Sequence, residues 1–417
     1  MGFVKTPVKG MNDFLPVEMA LRQKVLRKIR DTYGAYGFRE IETPCMEHIE
    51  NLTSKQGGEN EKLIFKVMKR GAALGRALEK GDELADSGMR YDLTLPLSRF
   101  YAANSATLPA PFKALQIGNV WRADQPQKGR FRQFTQCDID ILGDASIMAE
   151  IELIGATGNM LETLLAGTGI EGFTIHVNDR RILRAMALSA GFAEENLEEV
   201  FIILDKLDKI GTEGVKAELC QMGLAEEAVD SYLALFEGDR QSVAAFCAGL
   251  DAALLEPSVA QGLDTILSCV KNSLGSTCSL KFDPTLVRGM GYYTGTIFEV
   301  KLNEYNFSIA GGGRYDEMIG KFSGQKVPAC GFSIGFERII TILRDHPVAA
   351  DAEEAGIALL LENGASPEKM QEVFAEAAAL RREGKTVTVL PLKKNAKFQI
   401  DRLMEDGFTD VRRIWRD

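Results

Sequence analysis

The 417-residue sequence predicts an α+β fold, and three stretches carry that expectation. The first, FKALQIGNVWRADQPQKGRFRQFTQCDIDILG, reads as two strands joined by a long polar, basic loop, Ala123 to Arg130. The second, from roughly Asp179 to Gly275, is helical in pattern and poor in β-formers, as in LDKLDKIGTEGVKAELCQMGL. The third follows an acidic, alanine-rich linker near 347–354 and alternates strand with helix, which suggests a small terminal α/β unit. A chain of this length suggests two or three domains.

In chain order, the segment after Pro16 carries Leu21, Val25, Ile29 and Tyr33 at four-residue spacing. That spacing predicts an amphipathic helix, with Gly34 and Gly37 as stop signals. A short strand, FREIET, follows and is stopped by Pro44. The charged, glycine-punctuated stretch 69–88 reads as a surface excursion, and RYDLT as the start of a β-type run. Beyond the helical stretch, strands are expected at YYTGTIFEVKL and ACGFSIGF, the latter leading into a helix, ERIITILRD. The terminal unit contributes GIALLL, a helix, KTVTVLPL and another helix.

Composition excludes several classes. Hydrophobic residues make up 45%, enough for ordinary cores, and no apolar run approaches the ~20 residues of a membrane span. The N-terminal residues lack the apolar core and cleavage site of a signal peptide. Seven scattered cysteines never form Cys-x-x-Cys, which favours a reducing cytoplasm over a disulfide framework or a thiolate zinc site. With three histidines and no His-x-x-x-His, a histidine metal site is not expected either. The net charge is −10, yet residues 381–417 hold ten bases against six acids, so a nucleic-acid contact is allowed at the C-terminal tip.

Two constellations carry chemistry. In the strand at 131–141, even positions bear Arg132, Phe134, Gln136, Asp138 and Asp140, while odd ones include Thr135, Cys137, Ile139 and Ile141. Alternation therefore gives one apolar face and one polar face with a single aromatic. The polar face suits either solvent or a ligand, with Phe134 as a stacking platform for a purine. Asp92 and Thr94 are candidates to join that face, offering oxygen acceptors to an ammonium group. The second constellation is Arg122, Arg130, Arg288 and Arg338, on loops and edges, where guanidinium forks suit phosphate or carboxylate. Neither a P-loop nor a Rossmann glycine pattern is present, and AGGGRYD lacks the required spacing. Phosphates would then be handled by arginines and a metal.

These residues, in this order, resemble the class II aminoacyl-tRNA synthetases, and within them the histidine–tRNA ligases. KGMNDFLP and the helix–strand ending at Pro44 look like the N-terminal signature and first motif; WRADQPQKGRFRQFTQCDIDILG looks like the second and CGFSIGFERI like the third. LVRGMGYYTGTIFEV is similar to a histidine-specific segment, and LDKLDKIG also resembles the family. The resemblance implies a mainly antiparallel catalytic sheet flanked by helices. Its parts would be residues 1–178 and 279–346, interrupted by a helical insertion, 179–278, and followed by a short α/β domain, 354–417, resembling an anticodon-binding domain. It further implies a cytoplasmic homodimer, not membrane-bound, that uses ATP and Mg2+ to join histidine to tRNA(His).

Carried over by position, the resemblance gives Arg122 the ATP α-phosphate and the amino-acid carboxylate. Arg130 and Arg338 take the outer phosphates, and Phe134 the adenine. Asp92, Thr94 and Gln136 take the α-amino group, Asp140 and Tyr293 the imidazole, and Arg288 the reacting phosphate. Tyr292 also lines the histidine site, through its backbone, since strand parity turns its ring away from Tyr293. The glycines beside Arg288 would let the backbone approach the ligands. Three positions depart from the family: Gly291 stands where aspartate is usual, Thr135 replaces an aromatic or histidine, and the terminal unit is short. Two other readings share the fold: a regulatory subunit of ATP phosphoribosyltransferase in histidine biosynthesis, and a ligase acting on a non-tRNA acceptor. The retained arginines and tyrosines favour the synthetase.

Overall fold

The computed structural model describes residues 2–53, 62–126, 130–236, 242–288, 291–305, 307–346 and 356–416. The first helix, Pro16–Ala35, begins with proline at its first turn, where a missing N–H costs nothing, and buries Arg22, Val25, Ile29 and Tyr33. Leu21 is only partly buried, so the inward stripe is shifted one position toward Arg22. Strands β1 (Arg39–Ile41), β2 (Met46–His48), β3 (Lys66–Met68) and β4 (Ala85–Met89) follow.

The stretch 69–88 is more ordered than a surface excursion. It contains the helix Gly71–Lys80 and β4, the centre of a three-stranded sheet in the order β2-β4-β3. Its charges lie on exposed or half-buried positions, while Ala77 and Ala85 are buried, so small residues hid an amphipathic pattern. RYDLT likewise opens a helix, Thr94–Asn104, rather than a strand. The Asp92 carboxylate accepts the Leu95 backbone N–H at 3.2 Å, a capping bond that satisfies a first-turn donor.

Strands β5 (Phe112–Trp121) and β6 (Gln133–Leu142) pair antiparallel over their whole length, Gln116 opposite Asp138 and Val120 opposite Phe134. The loop between them is described except for residues 127–129. Helix Met148–Leu165 leads to β7 (Phe173–Asp179). Six α-helices lie between Arg180 and Lys271 among the described residues, from Arg180–Ser189 to Pro257–Lys271. Asp179 caps the first by accepting Arg181 N–H. Within LDKLDKIG, Gly211 adopts φ 70° and breaks the helical path.

The remaining strands of this unit are β8 (Cys278–Phe282), β9 (Thr296–Leu302), β10 (Ser308–Arg314) and β11 (Ala329–Ile334), followed by the helix Phe336–Asp345. They complete an eight-stranded sheet in the order β1-β5-β6-β11-β10-β9-β7-β8. The six inner strands are antiparallel, and β1 and β8 join in parallel at the edges. Apolar residues of β6, β9 and β11, such as Ile139, Phe298 and Phe332, share one core with Ile29, Leu153 and Phe336 of the helices. The glycines of AGGGRYD lie inside β10 itself.

The chain forms two units, a larger one ending at His346 and a C-terminal one described from Gly356 to Arg416. The C-terminal unit has a parallel sheet in the order β13-β12-β14, from β12 (Ile357–Leu361), β13 (Val387–Pro391) and β14 (Asp410–Ile414). Every residue of β12 is buried, as a central parallel strand requires. Ser366 and Asn395 cap the helices Pro367–Arg382 and Ala396–Glu405.

Candidate active site

From Gln136 onward the polar face of β6 is buried, not solvated: Gln136, Asp138 and Asp140 are 8%, 4% and 3% exposed. Neighbouring strands explain this. Asp138 lies opposite Ser333 on β11, whose hydroxyl donates to it at 2.5 Å, and Gln136 Nε2 donates to the same carboxylate at 3.3 Å. Asp140 lies opposite Gly331, where a Cβ would sit 2.0 Å from the Asp140 Oδ1; only glycine leaves that carboxylate its space. Tyr315 donates its hydroxyl to Asp140 Oδ1 at 2.5 Å.

Asp92 approaches this cluster from the start of its helix. Burial raises the pKa of Asp92, and burial together with Asp138 raises that of Asp140 well above the carboxylate range. Burial pushes Asp138 up to about 7, opposed by the Ser333 hydrogen bond and Arg122 but helped by Asp92. Asp140 Oδ2 and Gln136 Oε1 are buried without a partner among the described residues. A buried acceptor left unpaired costs stability, so this end of the site is built to receive donors.

The other end is cationic. Burial lowers the pKa of Arg338, and the charges of Arg130 and Arg288 lower it further against the opposing pull of Glu299. Three arginines thus share one neighbourhood. Arg338 donates to the Ser308 carbonyl and lies over Phe307. Arg130 is largely exposed and paired with Asp124 at 3.1 Å. Arg288 donates to Glu299 at 2.7 Å, while its Nε is buried without a partner among the described residues. Between the two ends, Arg122 donates to the Tyr91 carbonyl at 2.9 Å and holds its guanidinium over the Phe134 ring at 5.1 Å.

The room around Arg288 has an unexpected source. Gly291 faces open space, and Gly289 lies outside the described residues. The close approach is at Gly311 on β10, where a Cβ would stand 2.5 Å from the Arg288 guanidinium. Strand parity also fails for the tyrosines, because residues 291–295 lie in a turn and irregular backbone and β9 begins only at Thr296. The Tyr292 and Tyr293 rings touch, with centroids 4.6 Å apart. Tyr292 packs edge-on against Tyr315, the partner of Asp140, while Tyr293 lies against Arg288. Thr94 is half-buried at the head of its helix, two residues from Asp92.

Several participants had no designated role in the sequence. Asp138 was visible on the polar face, but its link to Ser333 depends on cross-strand register. Glu299 and Tyr315 offered no local signal. Thr135, the departure in the second motif, belongs to a buried network: Arg22 donates to Glu337 at 2.6 and 2.8 Å and to the Thr135 hydroxyl at 3.2 Å, and Thr135 N–H donates to Glu337. A cavity of about 470 Å³ beside Tyr293 and Thr294 is lined by Arg181 and Arg184. These are already paired with Asp179 and Glu194. Among the described residues, no group of three His, Cys, Asp or Glu side chains is placed to hold a metal ion.

Residues 10–339 match the profile of the histidyl-tRNA synthetases. The chain belongs to the histidyl-tRNA synthetase family. It is 45% identical over 418 residues to the histidine–tRNA ligase of Leifsonia xyli subsp. xyli, covering 97% of this chain and 94% of that one. Identity to the histidine–tRNA ligase of Phocaeicola vulgatus is 37%, over 85% and 80% of the two chains. A crystal structure of histidyl-tRNA synthetase from Nostoc sp. PCC 7120 superposes with a TM-score of 0.78 at 27% identity, covering 98% of this chain and 90% of that one. A structure described as an ATP phosphoribosyltransferase regulatory subunit/histidyl-tRNA synthetase from Bacillus halodurans has the same TM-score at 19% identity, covering 100% and 99%, and shares the fold. The eight-stranded sheet is the class II synthetase catalytic fold anticipated for this family.

Proposed function

We propose that this chain is a histidine–tRNA ligase, which forms histidyl-adenylate from histidine and ATP and then passes the histidyl group to the 3′-terminal ribose of tRNA(His). The observation that carries this reading is the division of one sheet into a buried acidic end and an arginine end. The acids suit an ammonium and an imidazole, and the arginines suit a polyphosphate. In the first step a histidine carboxylate oxygen bonds to the α-phosphorus, and the bond to pyrophosphate breaks. In the second, a ribose hydroxyl oxygen bonds to the histidyl carbonyl carbon, the bond from that carbon to the AMP phosphate oxygen breaks, and the hydroxyl proton is released.

In this reading Asp92, Thr94 and Gln136 hold the α-ammonium, and Asp140 with Tyr292 and Tyr293 reads the imidazole. Phe134 stacks on adenine, Arg130 and Arg338 hold the outer phosphates, and Arg122 bridges carboxylate and α-phosphate. Arg288 meets the charge that grows at the α-phosphate, a positional and electrostatic role rather than acid–base work. Magnesium would arrive with the nucleotide and neutralise phosphate charge. The described residues offer no cage for it, and each step above rests on side chains of this chain.

The helical run between β7 and β8 is read as an insertion, and the C-terminal unit as the tRNA-facing domain. Support for the latter is the exposed Phe398, flanked by Lys393, Lys394, Lys397 and Arg402. A homodimer through the first motif is consistent with β1 lying at the sheet edge and with exposed Phe3, Val4, Leu15 and Val17. Seven free cysteines suit the cytoplasm. The regulatory-subunit alternative is less well supported, since the relatives reported above at 37% identity or more are ligases.

The deciding experiment is ATP–pyrophosphate exchange with each standard amino acid, followed by charging of bulk tRNA. Exchange specific to histidine and transfer to tRNA are expected. Exchange without charging would point to a non-tRNA acceptor, and no exchange at all would favour the regulatory reading.

A further inference from the structure

The carboxamide of Gln136 has one end satisfied and one end bare. Its Nε2 donates to the Asp138 carboxylate at 3.3 Å and to the Ser333 hydroxyl at 3.2 Å, and that hydroxyl donates in turn to Asp138 at 2.5 Å. Its Oε1 is buried and has no partner among the described residues. We propose that Asp138, with Ser333, is a positioning residue that fixes the polarity of Gln136, so that an oxygen rather than an amide nitrogen faces the substrate. The inference rests on the reading that Gln136 takes the α-ammonium of histidine.

The physical argument concerns the two ways a carboxamide can be turned. Reversed, Gln136 would press its oxygen against a carboxylate and leave two N–H donors facing a substrate group that only donates. Once ionised, as a neighbouring ammonium group favours, the Asp138 carboxylate accepts only, so it selects one orientation. Cross-strand register makes the selection possible: Asp138 and Ser333 are directly opposed on β6 and β11, and Gln136 precedes Asp138 by one pleat on the same face. Asp138 need not touch the substrate. Its effect passes through the neighbouring amide.

The test uses the full chain in histidine-dependent ATP–pyrophosphate exchange, with KM measured separately for histidine and for ATP. Gln136→Met removes the acceptor and sets the scale; Asp138→Ala should raise the histidine KM by a similar ~10-fold while leaving the ATP KM unchanged. Ser333→Ala should move the histidine KM in the same direction by less, and serves if Asp138→Ala does not fold. In the double substitution Gln136→Glu with Asp138→Asn, the new asparagine donates to one glutamate oxygen and the other faces the substrate. Its histidine KM should return to within ~3-fold of the parent. A double variant as weak as Asp138→Ala would overturn the proposal, as would Asp138→Ala with an unchanged histidine KM beside a weakened Gln136→Met. If Gln136→Met itself leaves the histidine KM unchanged, the amino-group role of Gln136 fails instead.

Discussion

An arginine that serves a reacting phosphate must be aimed as well as charged. Arg288 is aimed by Glu299, which holds one guanidinium nitrogen at 2.7 Å, and by Gly311, whose missing Cβ leaves the guanidinium its place. Arg288→Ala should cut histidine-dependent exchange by ~10²-fold or more, because it removes charge stabilisation at the reacting centre. Gly311→Ala should lower the same rate without removing any charge; full activity in that variant would show that the side chain can sit elsewhere. At Asp138 the folded-state pKa, about 7, lies above the ordinary carboxylate value. Below that ordinary value the carboxyl is neutral folded or unfolded, and no penalty arises. As pH rises toward 7 the unfolded chain gains from ionising while the buried group does not, so stability is lost across that window. Asp138→Asn should therefore raise the melting temperature of the ligand-free protein more at pH 8 than at pH 5. Its titratable neighbours Asp92 and Asp140 and the Arg122 guanidinium remain in both proteins, and an equal gain at both pH values would contradict the shift.

At the scale of elements, three segments distant in sequence meet at one buried ion pair. Arg22 of the first helix binds Glu337 at the head of the helix Phe336–Asp345, and Thr135 of β6 joins both. Phe14 and Phe336 flank the guanidinium, which shields it from water. Removing one partner strands a buried charge, so Glu337→Ala should destabilise the chain by about 3–5 kcal/mol in denaturant unfolding. The double change Arg22→Met with Glu337→Leu should recover most of that loss, since it removes both charges. These contacts were not legible in the sequence. Thr135 looked like a departure from a family motif, and its hydroxyl proves to be a node in a network whose other members lie far along the chain. By contrast, helix Pro16–Ala35 and strands β5 and β6 were legible, because their apolar spacing and turn residues are local. The helix after Asp92 was misread, because its first apolar residues alternate over too few positions to separate a strand from a helical turn.

For the whole molecule, charge is divided unevenly. The net charge is −10, which repels a polyanion, yet the tip from 381 to 417 is locally basic and presents Phe398 at 60% exposure. The double change Lys394→Ala and Lys397→Ala should lower tRNA charging by ~10-fold at moderate salt, with histidine-dependent exchange unchanged. Equal charging by both proteins would remove this patch from the tRNA contact. The sequence by itself determined the fold class, the first helix, the paired strands β5 and β6 and the family, and it marked the two candidate constellations, because hydrophobic period and motif order are properties of neighbours along the chain. Tertiary structure alone decided that the polar face of β6 is buried, that Arg288 faces Gly311 and Glu299, and that Tyr292 shares the Asp140 cluster through Tyr315. Those relations are set by which strands lie side by side and in what register, and pairing across a sheet leaves no periodic mark on either strand.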